Sequence, residues 1–346
     1  MVPVRSASAF CPGHITGFFQ IWDLSDETHK KGSIGSGFNT AVGVTTKASF
    51  TQLVNTEKIV ETIPGTFLSI YSNGRVVETH ELMATRDMIS RFFNLYGDSA
   101  KLWDIGDRKI CLVLDSLFDL PLSQGFGMSG AGLISQILAL NRLFDSPFSK
   151  EVCIQMAHHS EIVHGTGLGD IPAQSVGGLT IREREGLPPY GKIHGLPLNN
   201  RVILAVLGSR MPTRNIILDE AKRNSINRHS EGMVDKLLAQ LASNSGDDQL
   251  FDPGSVSSLL AEMTSLSFRF ARDTGLMNAE IHELCRKINK IVSPGSSMCM
   301  LGNSIFVIFP EETSSEDKIY KKVKSMLIDS GEIFETAISP RGATLL

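Results

Sequence analysis

Four glycines fall within eight residues at Gly125-Phe-Gly127-Met-Ser-Gly130-Ala-Gly132, and apolar residues at helical spacing follow at once through Leu133, Ile134, Ile137, Leu138 and Leu140. A turn this rich in glycine takes backbone conformations closed to other residues and delivers bare N–H groups to the positive end of a helix. Such a turn is a general cradle for an anion, phosphate above all. The rest of the 31 glycines also cluster, at Gly32-Ser-Ile-Gly35-Ser-Gly37, Gly165-Thr-Gly167-Leu-Gly169, Gly177-Gly178 and Pro294-Gly295. Most lie between segments of readable periodicity, so they are expected to be loops that approach something closely.

The loop at 125–130 satisfies Gly-x-Gly-x-x-Gly to the letter, which raises a dinucleotide-dependent oxidoreductase as one reading. Its context argues against that. Pro121 and the polar Ser123-Gln124 separate Gly125 from the apolar run at 110–114, whereas a dinucleotide fingerprint follows its strand directly. Asp145 stands near the place for a ribose-binding acid, about twenty positions on, but no strand precedes it. A Walker loop is excluded, because Ala131 and Gly132 stand where Lys and Ser or Thr are required.

Composition narrows the class. The 346 residues are 42% apolar and 20% charged, with a net charge of −4, enough chain for two domains with full cores. No Lys/Arg run exceeds two residues, so nothing tracks a nucleic-acid backbone. Cys11, Cys111, Cys153, Cys285 and Cys299 form no Cys-x-x-Cys pair, which points to a reducing cytoplasm and away from disulfides. The longest clean apolar run, 202–207, is far short of the ~20 residues that span a bilayer, and residues 1–10 lack an apolar signal core.

Residues 40–54 are rich in β-branched side chains, and 67–79 reads as a hairpin turning at Asn73-Gly74. Helices are expected over 85–96, 131–144 and 151–164, the last closed by Gly165, with a short buried strand at 110–114. A strand at 201–208 follows, then one or two helices over 215–242. Two more helices are expected over 256–292 with a break near Gly275, then a strand at 304–309, a charged helix at 314–328 and a last short strand. Early strands and later helices make the class α+β, with a boundary between 180 and 200. The stripe Ile281, Leu284 and Ile288 suits either packing in the second domain or a homodimer surface.

Three motifs in order resemble the GHMP family of small-molecule kinases. Pro121-Leu-Ser-Gln-Gly125-Phe-Gly127-Met-Ser129-Gly130-Ala131-Gly132 is similar to the family's Pro-x-x-x-Gly-x-Gly-x-Ser-x-Ala/Gly phosphate loop. Ala9-Phe-Cys11-Pro12-Gly13-His14-Ile15 is similar to its Ala-Pro-Gly-Lys first motif, and Ser293-Pro-Gly-Ser-Ser-Met-Cys-Met-Leu-Gly302 stands in place of its glycine-rich third motif. The resemblance covers nearly the whole chain. His14 replaces the usual Lys, the Gly-Glu-His continuation is absent and the third motif has lost most of its glycines. With Pro12-Gly-His-Ile-Thr-Gly-Phe-Phe19, the 32–37 cluster and Gly165-Thr-Gly-Leu-Gly-Asp-Ile171, these departures resemble an archaeal branch that phosphorylates the primary hydroxyl of a small hydroxy acid.

The resemblance implies a two-domain fold, with an N-terminal domain like ribosomal protein S5 domain 2 over 1–185 and a ferredoxin-like α+β domain over 186–346. It implies ATP and Mg²⁺, with nucleotide contacts from Pro121, Ser123, Gln124, Gly125, Phe126, Gly127, Met128, Ser129, Gly130 and Ala131. Mg²⁺ takes few protein oxygens, for which Ser129 and Glu161 are the candidates. Asp170 follows a glycine turn where the family keeps its catalytic acid, as base or hydroxyl-orienting group. The acceptor is expected against His14, Gly35, Ser36, Gly37 and Asn39. A carboxylate on it calls for a guanidinium fork, from Arg182 or Arg210. Two further readings stay open, a GHMP kinase acting on mevalonate or a related hydroxy acid, and a ligand sensor that keeps the fold without catalysis.

Overall fold

The computed structural model describes residues 6–52, 61–63, 66–77, 82–97, 110–209, 219–244 and 253–346, and everything below concerns these residues. Arg210 lies outside them. Two long antiparallel strands, β1 (Ser6–Trp22) and β2 (Gly32–Gln52), form the spine of a nine-stranded sheet. Beyond β2 the sheet divides. The second half of β2 pairs with β6 (Ile110–Phe118), which runs parallel to β4 (Thr66–Ser72), and β3 (Glu61–Ile63) edges β4. The first half of β2 pairs with β7 (Leu179–Arg184), which β8 (Lys192–Leu196) extends. β5 (Arg75–Val76) closes the expected hairpin on β4 through Asn73 and Gly74, at φ 48° and 74°, as a type I′ turn requires. β13 (Thr344–Leu345) returns to the free edge of β1, so β8 and β13 bring residues beyond 185 into the large sheet.

A second, antiparallel sheet has the order β10 (Gly295–Met298), β11 (Ser304–Ile308), β9 (Arg201–Val206), β12 (Glu332–Ala337). Helices α1 (Met83–Tyr96), α2 (Met128–Leu143), α3 (Lys150–His164) and the short α4 (Asp170–Val176) belong to the half with the large sheet. Almost every residue of α2 is buried, and its buried polar side chains Ser135, Gln136 and Asn141 are each hydrogen-bonded. α3 opens on Ser149, whose hydroxyl accepts from the Val152 N–H, and closes on Gly165 in the left-handed conformation. The later helices are α5 (Glu220–Ser230), α6 (Met233–Asn244), α7 (Pro253–Asp273), α8 (Ala279–Ile288) and α9 (Lys318–Ile328). Gly275, at φ 72°, falls in the break between α7 and α8. Ile281 and Ile288 are buried within the chain and Leu284 packs on the same core, so that stripe faces inward.

The architecture is α+β. One expectation fails in an instructive way, since the cluster at 32–37 is no loop but part of β2. A Cβ on Gly35 would lie 2.2 Å from the Phe18 carbonyl oxygen and one on Gly37 2.2 Å from that of Ile15. The close approach these glycines permit is to β1, whose register shifts between Pro12 and His14 and between Thr16 and Phe18. Edge-on ring contacts, Phe38 with Phe306 and Phe19 with Phe270, join the large sheet to the C-terminal elements. No helix among the described residues is long and apolar enough to cross a membrane.

Candidate active site

Positions 35 and 37 leave a gap in the row of side chains on β2. Gly37 lies between Thr16 of β1 and Thr180 of β7, and Gly35 between Phe19 and Arg182. Neighbouring strands run ~4.8 Å apart, so side chains two strands apart are ordinarily kept apart by the strand between them. Here His14 reaches across. A Cβ on Gly37 would come within 2.9 Å of its Nε2. That nitrogen lies 3.2 Å from Thr180 Oγ1 and 3.4 Å from Arg182 Nη1, and His14 Nδ1 lies 2.9 Å from Asp170 Oδ1.

The partners fix the tautomer. A guanidinium only donates, so His14 Nε2 accepts and Nδ1 carries the proton, which it donates to Asp170. Burial pushes the imidazole below its ordinary pKa, Asp170 pulls the other way, and Arg182 adds to the effect of burial. Arg182 is 2% exposed, and burial brings it down to about 10 although Asp170 and Glu161 favour its charge. Its Nε and Nη2 have no hydrogen-bond partner. A buried cation with free donors is costly, and a planar fork of this kind is shaped for a carboxylate.

The turn at 165–169 brings Asp170 to this group. A Cβ on Gly169 would collide with Ser33 Oγ and come within 3.3 Å of Arg182 Nε, so the backbone can lie against them only as glycine. Asp170 opens α4 with its side chain 29% exposed, and both of its hydrogen bonds, to His14 and Thr16, fall on Oδ1. Opposite stands the glycine loop, with Gly125 at φ 76° and Gly127 at φ 65° just before α2. A Cβ on Gly125 would lie 2.6 Å from the Met300 carbonyl oxygen, so the β10–β11 connection backs the loop directly.

Loop and turn face one cavity of about 500 Å³. Ser123, Gly125, Phe126, Gly127, Met128 and Ser129 line it, as do Gly165 to Asp170, Thr16, Ser33, Met300 and Leu301. Other expected residues stand behind its walls. Pro121 is off the lining, Gly130 and Ala131 are buried inside α2, and buried Gln124 donates to the Gly208 carbonyl at 3.1 Å. Ser36 donates to the Thr180 carbonyl and Asn39 to that of Ala173, so with Gly35 and Gly37 they shape the sheet under His14 without reaching the cavity. His14 and Arg182 are also buried off the lining, His14 behind Asp170 and Arg182 behind Gly169.

Glu161 is buried behind Gly167, whose Cβ would fall on its Oε1. Burial pushes its carboxyl well above the usual range and Asp170 adds to this. Neither oxygen has a hydrogen-bond partner, and a Cβ on Gly130 would lie 3.3 Å from Oε1. One unpartnered carboxylate beside the first turn of α2, with the Ser129 hydroxyl on the cavity wall, fits Mg²⁺, which takes one or two protein oxygens alongside phosphates. The described residues contain no group of three or more His, Cys, Asp or Glu that would cage a metal without a ligand's help.

The sequence reading overlooks Thr16, Ser33, Thr180 and Gln174. Spacing marks three of them, since Thr16 shares a strand face with His14 and Thr180 with Arg182, while Gln174 lies one turn from Asp170.

The chain is similar to several known proteins. Residues 96–178 match the GHMP kinases N terminal domain. The pantoate kinase of Methanocaldococcus jannaschii is 30% identical over 305 residues, 88% of this chain and 93% of that protein. The pantoate kinase of Methanospirillum hungatei is 27% identical over 339 residues, 98% and 96% of the two chains. A solved phosphotransferase related to the CoA biosynthesis pathway superposes with a TM-score of 0.75 at 25% identity, covering 99% of this chain and 98% of the other. The mevalonate-3-kinase of Thermoplasma acidophilum shares the fold, with a TM-score of 0.62 at 14% identity over 99% and 98%.

His14 should stay neutral, with its proton on Nδ1, through the range around pH 6.5 where a free histidine titrates. Its folded pKa is depressed, so the unfolded chain takes up the proton first, and this residue's contribution to stability is lost as the pH falls below about 6.5. Nitrogen-15 spectra of the imidazole recorded downward from neutral pH should keep the Nδ1–H pattern. Protonation of both nitrogens near pH 6.5 would contradict the arrangement.

Proposed function

This chain belongs to the GHMP family of small-molecule kinases, and we propose that it transfers the γ-phosphoryl group of ATP to the primary hydroxyl of pantoate, yielding 4-phosphopantoate on the way to coenzyme A. Pantoate kinases similar over nearly the whole chain support the acceptor. The observation that carries it is the buried Arg182 fork, with Nε and Nη2 unpartnered, one histidine away from Asp170. A carboxylate anchor that close to a hydroxyl-binding carboxylate suits a short hydroxy acid.

Phosphoryl transfer is mostly positioning and charge neutralisation. Asp170 spends Oδ1 on His14 and Thr16, which leaves Oδ2 to take the acceptor's hydroxyl proton as the new O–P bond forms and ADP departs. Arg182 holds the acceptor carboxylate through its two free donors once the turn at 165–169, whose Gly169 covers them, draws back. His14, neutral between them, keeps the two groups in a fixed relation. The backbone N–H groups of the loop ending at Ser129 cradle the nucleotide phosphates. Ser129 and Glu161 would hold Mg²⁺, which when bound neutralises phosphate charge.

ADP release from ATP and Mg²⁺ should be measured with pantoate, mevalonate, homoserine and galactose. Pantoate should exceed the others in kcat/KM by at least about tenfold. A preference for mevalonate would overturn the acceptor assignment, and nucleotide binding without turnover would favour a sensor. Asp170→Asn should lower kcat by roughly 10² to 10⁴ while the Kd for Mg·ATP stays unchanged. Turnover near that of the wild type would remove Asp170 from the mechanism.

A further inference from the structure

Gln174 follows Asp170 by one turn on α4 and is fully buried. Its Nε2 lies 2.8 Å from the Gly127 carbonyl oxygen and 3.1 Å from that of Pro12. Both partners only accept, so chemistry fixes the amide: the NH₂ group faces them and Oε1 turns towards α2. A Cβ on Gly130 would lie 2.7 Å from Oε1, so the amide leaves no room for a side chain there. Gly127 is the left-handed residue from which α2 and the phosphate cradle open, and Pro12 lies two residues before His14. The His14 N–H in turn donates to the Phe126 carbonyl at 3.0 Å.

One side chain on the helix that carries Asp170 therefore ties that helix to the phosphate loop and to the strand that carries His14. The helix has other anchors. Asn39 donates to the Ala173 carbonyl and the Ala343 N–H to that of Gln174. Removing the amide would leave α4 held from behind while the loop loses its sideways tie to it.

We propose that Gln174 is a positioning residue for phosphoryl transfer, its amide setting the distance between the phosphate loop and Asp170. This rests on the kinase reading but not on the identity of the acceptor. In-line transfer is sensitive to that distance, since a misplacement of about 1 Å can cost on the order of a hundredfold in rate.

Gln174→Met keeps the length and apolar burial of the side chain and deletes both donors. It should lower kcat roughly 10- to 100-fold and raise the KM for ATP several-fold, with the acceptor KM within about twofold of wild type. A merely structural role would lower Tm and the yield of active enzyme but leave kcat per active site and both KM values alone, and that result would overturn the proposal. Should Gln174→Met fail to fold, Gln174→Leu deletes the same donors with a more compact apolar side chain. The same selective loss of kcat is expected, and wild-type kcat would again overturn it. Both variants are assayed with whichever acceptor the wild type turns over best. A wild type that prefers mevalonate then refutes pantoate and leaves this test standing, whereas one that turns over no acceptor overturns both.

Discussion

The contact between His14 and Arg182 across the empty positions of β2 is what the rest of the site depends on. Burying a guanidinium is expensive unless it is paired, and here it meets a neutral imidazole with two carboxylates close by. Gly37 makes room for the contact between β1 and β7, since a Cβ there would come within 2.9 Å of His14 Nε2. His14 then passes orientation from the cation to Asp170 without taking on a charge. Two donors left unsatisfied in a buried place cost roughly 1–3 kcal/mol each, which an anionic ligand can recover on binding.

The glycines divide the labour among themselves by position. Gly35 and Gly37 open a gap inside a sheet, Gly167 and Gly169 let a backbone lie against Glu161, Ser33 and Arg182, and Gly125 and Gly127 turn the chain into α2. In each place a Cβ would meet backbone or a functional group. Gly125, Gly127, Gly165, Gly167 and Gly169 thus bring bare main chain to the cavity wall, which suits ligands recognised through phosphate oxygens.

Much of this was legible in the sequence. The Asn73-Gly74 hairpin, the end of α3 at Gly165, the break near Gly275 and the glycine loop opening α2 all follow from local rules, and the structure has each of them. Gly32 to Gly37 reads as a loop and folds as strand because local sequence does not separate a glycine that lets two strands approach closely from one that turns the chain. Interspersed glycines also hid the lengths of β1 and β2. His14, Asp170 and Arg182 are each identifiable from motifs, but their convergence depends on strand pairing across more than 150 positions of chain, which no local pattern encodes. Thr16, Thr180 and Gln174 follow from them once strand faces and helix turns are counted.

Recognition of the acceptor rests on Arg182 as the carboxylate anchor. Calorimetric titration of pantoate into the wild type and into Arg182→Lys, which keeps the charge and loses the fork, tests this most directly. The affinity for pantoate should fall roughly 10- to 100-fold while that for Mg·ATP stays the same. Unchanged pantoate affinity, or an equal loss for both ligands, would contradict it.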